Sequence, residues 1–222
     1  MATSGPRYPG TVTSEIGPSG ANDWRTASNI GGDDGSEAQI TAATFDSNDH
    51  SYRLKAQNFG FTIPAGATID GITVEIDRRA FAGAAEDQEV RLYDAAGALV
   101  GDDKQTATAW PGTLTIATYG GAADTWTASP TAAMANDPDF GVALIVLATA
   151  ANTDIGVDFI RVTVTYTPDT ALVGSSAGAS SGGGVLATAI RFAGTGAGAA
   201  TAAAILSTSI ALTGLAGGGS TA

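Results

Sequence analysis

The chain has 222 residues, of which only 14% are charged, against ~25% in a typical soluble domain. Its net charge of −12 and its scattered basic residues argue against binding a phosphate backbone, which requires clustered Lys and Arg, so no nucleic-acid partner is expected. The absence of cysteine excludes a disulfide framework and a thiolate metal site. Residues 1–10 lack the apolar core of a signal peptide, so synthesis in the cytoplasm is expected.

The composition changes abruptly at Pro168. All eight prolines, all three tryptophans and every lysine precede Asp169, and beyond it Phe192 is the only aromatic residue. A change of this kind marks the boundary between a folded domain and a different architecture. The sequence therefore predicts a folded domain over residues 1–168 and a Gly/Ala-rich repeat stalk over residues 169–222.

The first domain contains many short strand signals in chain order. Residues 4–35 are rich in Gly, Pro, Ser and Asn and predict irregular coil with at most one short strand. Residues 129–136 predict a helical turn, which Pro138 ends. Strands are predicted where β-branched and aromatic residues lie between turn signals. These strands are residues 38–45, 51–61, 90–93, 99–100, 114–119, 142–147 and 159–166.

The stretch 59–79 is the centre of the predicted sheet. It reads FGFTIPAGATIDGITVEIDRR and predicts two strands joined by a Pro/Gly turn. The second of these strands, like residues 159–166, alternates apolar and polar residues and so needs one covered face. Short strands with almost no helical periodicity predict an all-β fold, a jelly-roll-like β-sandwich. The residues predicted to be buried are Ile72, Val74, Ile76, Val162 and Val164.

Residues 169–222 contain an internal repeat of 20 residues, in which Leu172, Phe192 and Leu212 occupy equivalent positions. Each unit holds one alternating segment followed by small residues. This pattern predicts one strand and one connector per repeat, as in a solenoid or a fibrous β-assembly. The apolar positions of the repeat are the predicted oligomerisation residues: Leu186, Ile190, Phe192, Leu206, Ile210 and Leu212.

The repeat segment is expected to fold only in an assembly. A solenoid needs three or more stacked units, whereas this segment has two full copies and half of a third. Glycine is costly to order, and Gly and Ala bury little apolar area. We therefore expect self-association, most simply a homotrimer in which three tails meet on one axis. Residues 192–212 are long enough for a membrane helix, but their Gly, Ser and Thr content and the strand-period repeat argue against a membrane span.

Four segments carry a resemblance to a known class of protein: residues 59–79, AWPGT at 109–113, YGGAADTW at 119–126 and VDFIRVTVTYT at 157–167. They resemble a β-sandwich module common in structural proteins of tailed bacteriophages. The Leu-x-Gly repeats are similar to those of phage tail-fibre and virion-appendage proteins. The resemblance implies a non-enzymatic fibre, spike or decoration component that is located in the virion and contacts other virion proteins. No catalytic residue carries over from it.

Enzymatic chemistry has few candidate residues in this chain. His50 is the only histidine and lies in a polar turn, where a solvated residue is expected. Two G-x-S-x-G matches in residues 174–182 lack the strand–turn–helix context of a nucleophile elbow. Glu75 and Asp77 share a predicted strand face, but an exposed polar face explains them without catalysis. No catalytic residue and no cofactor are predicted, and a glycosidase or depolymerase is the second alternative function.

A carbohydrate-recognising receptor-binding module, with a host surface glycan as partner, is the first alternative function. Trp110, Tyr119 and Trp126 lie in a Gly/Pro-rich region, where exposed rings could stack on sugars. The competing interpretation is that these rings plug the end of the sandwich, because tryptophan is highly buried on average.

Acidic pairs in predicted loops could bind Ca²⁺ through their carboxylates. No spacing among them matches an EF-hand loop, and turn chemistry explains them as well, so no metal site is assigned. The pairs are Asp33–Asp34, Asp102–Asp103 and Asp137/Asp139.

Deletion of residues 169–222 should leave a soluble, folded and largely monomeric domain, because the predicted oligomerisation residues all lie in the deleted segment. Sedimentation of the full chain and of the truncated chain measures this directly. A full chain that sediments as a monomer while its tail resists protease would show that the tail needs no partner.

Overall fold

The computed structural model describes residues 1–18, 20–41 and 45–169. The predicted repeat segment beyond residue 169 lies outside the described residues. The oligomerisation residues, the stalk and the membrane-helix alternative therefore stay predictions.

The described residues form an all-β, sandwich-like fold, as predicted, with two sheets that share one hydrophobic core. A short 3₁₀ helix (Ala27–Ile30) and one α-helix, α1 (Ala132–Asn136), interrupt the strands. The first sheet contains β1 (Ala2–Arg7), β4 (Ala38–Thr41), β7 (Thr68–Ala82), β10 (Thr115–Gly120) and β12 (Asp154–Thr167). The second sheet contains β2 (Thr11–Glu15), β3 (Gly20–Asn22), β5 (His50–Ser51), β6 (Arg53–Gln57), β8 (Ala85–Tyr93), β9 (Leu99–Val100) and β11 (Gly141–Ala148).

The long antiparallel pair of β7 and β12 is the centre of the first sheet, with Val74 opposite Val162 and Ile72 opposite Val164. On its other side β7 pairs with β10, while β1 and β4 both pair with β12. The five residues predicted to be buried on β7 and β12 have no exposed surface, which confirms the alternating pattern.

Strand β11 is the centre of the second sheet and pairs with β6 on one side and β8 on the other. Val142, Leu144 and Val146 join the core between the sheets. Ala143 and Ile145, which alternate with them, are also buried. The predicted strand with two covered faces is therefore confirmed.

The N-terminal region forms more strand than the sequence predicts. Residues 4–35 contain most of β1 and all of β2 and β3, so the prediction of irregular coil is wrong. Main-chain pairing with β12, β6 and β5 holds these strands in place. The side chains of β1 and β2 are mostly exposed or half-buried, so no apolar alternation marks these strands in the sequence.

The predicted strand 51–61 is too long, because β6 ends at Gln57. Phe59, Phe61 and Ile63 alternate and are buried, but they lie outside any sheet ladder. The rings of Phe59 and Phe61 both pack against the ring of Phe140, with centroid distances of 6.3 and 6.2 Å respectively. Alternation of apolar and polar residues in an extended segment thus indicates burial of one face, but it does not by itself indicate pairing with another strand.

Val74→Ala should lower the free energy of unfolding by about 1–3 kcal/mol, because it removes buried apolar area and leaves a cavity between the sheets. Thr73→Ala is the matched control on the same strand, since Thr73 is only half-buried, and its effect should stay within about 0.5 kcal/mol. Urea unfolding of both variants measures the difference. Equal losses would show that Val74 does not fill the core.

Candidate ligand-binding site

The three aromatic residues predicted as a stacking platform are buried. Trp110, Tyr119 and Trp126 are 5%, 4% and 0% exposed, and all three belong to the core. The indole NH of Trp126 donates to the main-chain oxygen of Ile72 at 2.9 Å. Their ring faces are therefore covered by protein, which is the outcome that the plug interpretation predicts. These residues do not form a surface on which a sugar could stack.

Trp110 and Tyr119 instead converge on the buried carboxylate of Asp87. This side chain accepts from the guanidinium of Arg78 at 2.8 Å, the indole of Trp110 at 2.9 Å and the hydroxyl of Tyr119 at 2.9 Å. The main-chain NH and the hydroxyl of Thr106 donate to it at 3.1 and 2.9 Å. Hydrogen bonds from these donors offset the free-energy cost of burying the charge of Asp87. Burial, followed by the charge of Asp87, raises the pKa of Tyr119.

The Asp87 network joins the two sheets to the connector between β9 and β10. Arg78 lies on β7 in the first sheet, while Asp87 lies on β8 in the second. The connector, residues 101–114, contains Thr106 and Trp110 and has no strand of its own. Its main chain forms irregularly spaced hydrogen bonds with β8 and, further along, accepts a hydrogen bond from β7. The connector thus covers an edge of the second sheet, a position where unpaired backbone groups are otherwise exposed.

The outer face of the second sheet has a half-open pocket of about 220 Å³. Ile145 on β11 contributes to its lining from the central strand. His50 on β5, Gln88 and Glu89 on β8, and Asp103 and Gln105 on the connector supply polar groups, and Pro18 lies at the edge.

A bulge in β8 separates the network from the pocket. Ile145 pairs with Glu89 and Val146 pairs with Asp87, so Gln88 is the extra residue between them. A bulge of this kind redirects side chains along a strand. Asp87 is consequently buried, while the neighbouring Gln88 lines the pocket.

Two of the polar groups in the pocket already have partners. Glu89 holds Arg53 in a bidentate pair at 2.7 and 3.0 Å. Asp103 accepts from the main-chain NH groups of Val90 and Gln105.

Three other side chains of the pocket have unused hydrogen-bonding groups. His50, Gln88 and Gln105 form no side-chain hydrogen bond to any residue that the structure describes. The pocket thus offers free donors and acceptors on a largely polar lining.

The rest of the outer face near β6 and β8 is occupied by its own side chains. The ammonium of Lys55 lies 4.6 Å from the centre of the Tyr93 ring and 3.5 Å from a carboxylate oxygen of Glu15. Tyr93 is buried, and this burial raises its pKa to about 12. The charged groups of this neighbouring surface therefore contact one another, while the buried hydroxyl of Tyr93 has no hydrogen-bond partner among the described residues.

The acidic residues singled out in the sequence mostly have local roles. Asp102 accepts from the Thr127 hydroxyl, and Asp137 accepts from the main-chain NH of Asp139 at 2.9 Å. Glu75 forms a bidentate pair with Arg161. In the part of the chain that the structure describes, no group of three or more His, Cys, Asp or Glu side chains is arranged to hold a metal ion.

The pocket residues were mostly invisible in the sequence. His50 was expected in a solvated turn, but it lies in the two-residue strand β5 and pairs with Leu147. Gln88 and Gln105 belong to no motif. They meet only because the connector returns along β8, and the one available signal was the run of polar residues around Asp103.

No protein-family model and no curated protein matches this chain. Among solved structures, the N-terminal cellulose-binding domain of the β-1,4-glucanase C of Cellulomonas fimi is similar over 73% of this chain and 97% of that chain, with 12% identity and a TM-score of 0.29.

No helix within the described ranges is long and apolar enough to cross a membrane.

Asp87→Asn should lower the free energy of unfolding by about 3–5 kcal/mol, because Arg78 would then remain buried without its counter-charge. Glu75→Gln is the matched control. It makes the same charge change in the pair with Arg161, where both side chains are partly exposed, and should cost about 0–1 kcal/mol. Chemical denaturation at neutral pH compares the two variants. Similar losses of unfolding free energy in both variants would show that the buried Asp87 carboxylate stabilises the fold no more than a partly exposed one.

Proposed function

We propose that the described domain is a non-enzymatic glycan-binding module that holds one sugar residue in the pocket lined by Ile145, Gln88 and Gln105. One observation carries this proposal: three hydrogen-bonding side chains around a small cavity have no partner among the described residues. Polar groups in a folded protein are usually satisfied, so unused ones in a concave site are available to a ligand or to water.

A sugar suits the chemistry of these groups. Each hydroxyl of a sugar can both donate and accept, and the amides of Gln88 and Gln105 offer both functions. Ile145 adds a small apolar contact at the base of the lining, against which a C–H group of a sugar ring can rest. The pocket is smaller than the ~300 Å³ lower bound of typical ligand sites, which favours a single ring over a long chain.

The electrostatics favour a neutral sugar. Glu89 and Asp103 line the pocket, and Arg53, which contacts Glu89, is already engaged in that pair. The whole chain carries a net charge of −12. An anionic sugar would therefore meet repulsion without a free cationic partner.

Glycan binding fits a component of a phage fibre, spike or decoration, which is the role that the sequence resemblance implies. A single shallow pocket binds weakly, but a homotrimer would present three copies, and linked sites gain avidity. We place the protein in the virion on this basis, with host attachment as its task. The resemblance and the repeats support this placement.

We propose binding without hydrolysis. A glycosidase needs two carboxyl groups on opposite sides of the scissile bond, one of which must hold a proton. Of the two carboxylates in the pocket, Glu89 is held by Arg53 and Asp103 is held by main-chain NH groups. Neither carboxylate is placed to deliver a proton to a leaving group.

The test uses the full chain on an array of neutral and acidic bacterial-surface oligosaccharides, followed by calorimetry with the sugar that is retained. Gln88→Ala and Gln105→Ala should each weaken binding about tenfold, the effect of one lost hydrogen bond. Gln39→Ala is the control, because Gln39 lies on β4 in the other sheet, and it should leave binding unchanged.

The same oligosaccharides, incubated with the protein, should release no reducing sugar. Absence of retention on the array, or full affinity in both glutamine variants, would contradict the proposed site. Release of reducing sugar that a single Asp or Glu substitution abolishes would contradict the non-enzymatic function.

A further inference from the structure

A second bulge places a buried carboxylate on the first sheet, opposite the sugar pocket. Val157 pairs with Arg78 and Phe159 pairs with Asp77, so Asp158 is the extra residue on β12. Asp158 is only 2% exposed. The bulge therefore puts Asp158 beside Asp77 on the neighbouring strand, within the folded domain and away from water.

The loop that follows the 3₁₀ helix brings further acidic residues to this place. Gly31 forms a bridge with Phe159, next to Asp158. Asp33 and Asp34 follow directly in this loop, and their charges act on Asp158. Several negative charges thus meet around one bulge.

The nearby arginines are already engaged. Arg79 donates to both oxygens of Glu37 at 3.0 and 2.6 Å. Arg161 donates to both oxygens of Glu75 at 2.9 and 3.3 Å. The charge of Arg161 still lowers the pKa of Asp77, but burial and the charges of Asp33 and Glu37 outweigh it and raise that pKa.

The two aspartates retain unused oxygens. Oδ1 of Asp77 and Oδ1 of Asp158 are both buried, and neither has a hydrogen-bond partner among the described residues. Burial raises the pKa of both carboxyls, and the charge of Asp33 raises each pKa further. A buried anionic oxygen without a partner is costly, so this place requires a positive charge or a proton.

We propose that Asp77 and Asp158 bind a Ca²⁺ ion at the β12 bulge. Ca²⁺ accepts carboxylate, main-chain carbonyl and water oxygens in flexible geometry, whereas Mg²⁺ demands a near-ideal octahedron. Because no three acidic side chains converge on one point in the described residues, the carboxylates of half-buried Asp77 and buried Asp158 are the anionic ligands, and the remaining oxygens come from main chain and water. This site is independent of the sugar pocket.

Thermal unfolding of the full chain at neutral pH tests the proposal, with CaCl₂, with MgCl₂ and with a chelator. Saturating Ca²⁺ should raise Tm by roughly 5–10 °C, as expected for an ion at about a hundred times its dissociation constant. Mg²⁺ should raise Tm much less. Asp158→Asn should abolish the response to Ca²⁺, while Asp154→Asn, on the same strand, should retain it.

The competing outcome is a proton in place of the ion. In that case Ca²⁺ leaves Tm of the unmodified chain unchanged, and Asp158→Asn raises Tm at neutral pH because it removes a buried charge. Either result overturns the proposal. Sugar binding is measured separately on the array, so failure of the cation site leaves the proposed function standing.

Discussion

The buried ion pair between Arg78 and Asp87 is the constraint on which the arrangement of this domain depends. It connects β7 of one sheet to β8 of the other at 2.8 Å, with at most 6% of either side chain exposed. An ion pair at such a place stabilises only if its remaining hydrogen-bonding capacity is used. Trp110, Tyr119 and Thr106 meet much of this requirement, and each thereby becomes fixed in position.

The network also determines the shape of the proposed sugar pocket. Thr106 is held inward by Asp87, and the preceding residue, Gln105, lines the pocket. The same relation holds on β8, where Asp87 is buried and Gln88 lines the pocket. One buried carboxylate therefore positions two neighbouring polar side chains on the surface. Because the connector has no strand of its own, we expect this contact to give it the rigidity that the proposed binding site requires.

The sequence predicted those features that burial patterns encode. Alternation located β7 and β12, and a continuous apolar run located β11, because covered faces leave periodic apolar residues. The strands β1 and β2 were missed because main-chain hydrogen bonds hold them, while their side chains are exposed or only half-buried and show no apolar alternation. The aromatic cluster around Trp110 was recognised, but its environment depended on Asp87, whose partners are 9 to 32 residues away in sequence. Pairing over such distances leaves no periodic signal.

Residues 101–114 should be as rigid as a strand, because Asp87 holds them. Native-state hydrogen exchange followed by NMR measures this at two protons, the main-chain NH of Thr106 and the indole NH of Trp110, both of which donate to Asp87. Both should exchange as slowly as the main-chain NH groups of β7, through global unfolding. Exchange at the rate of an exposed loop at either proton would show that Asp87 does not hold the connector.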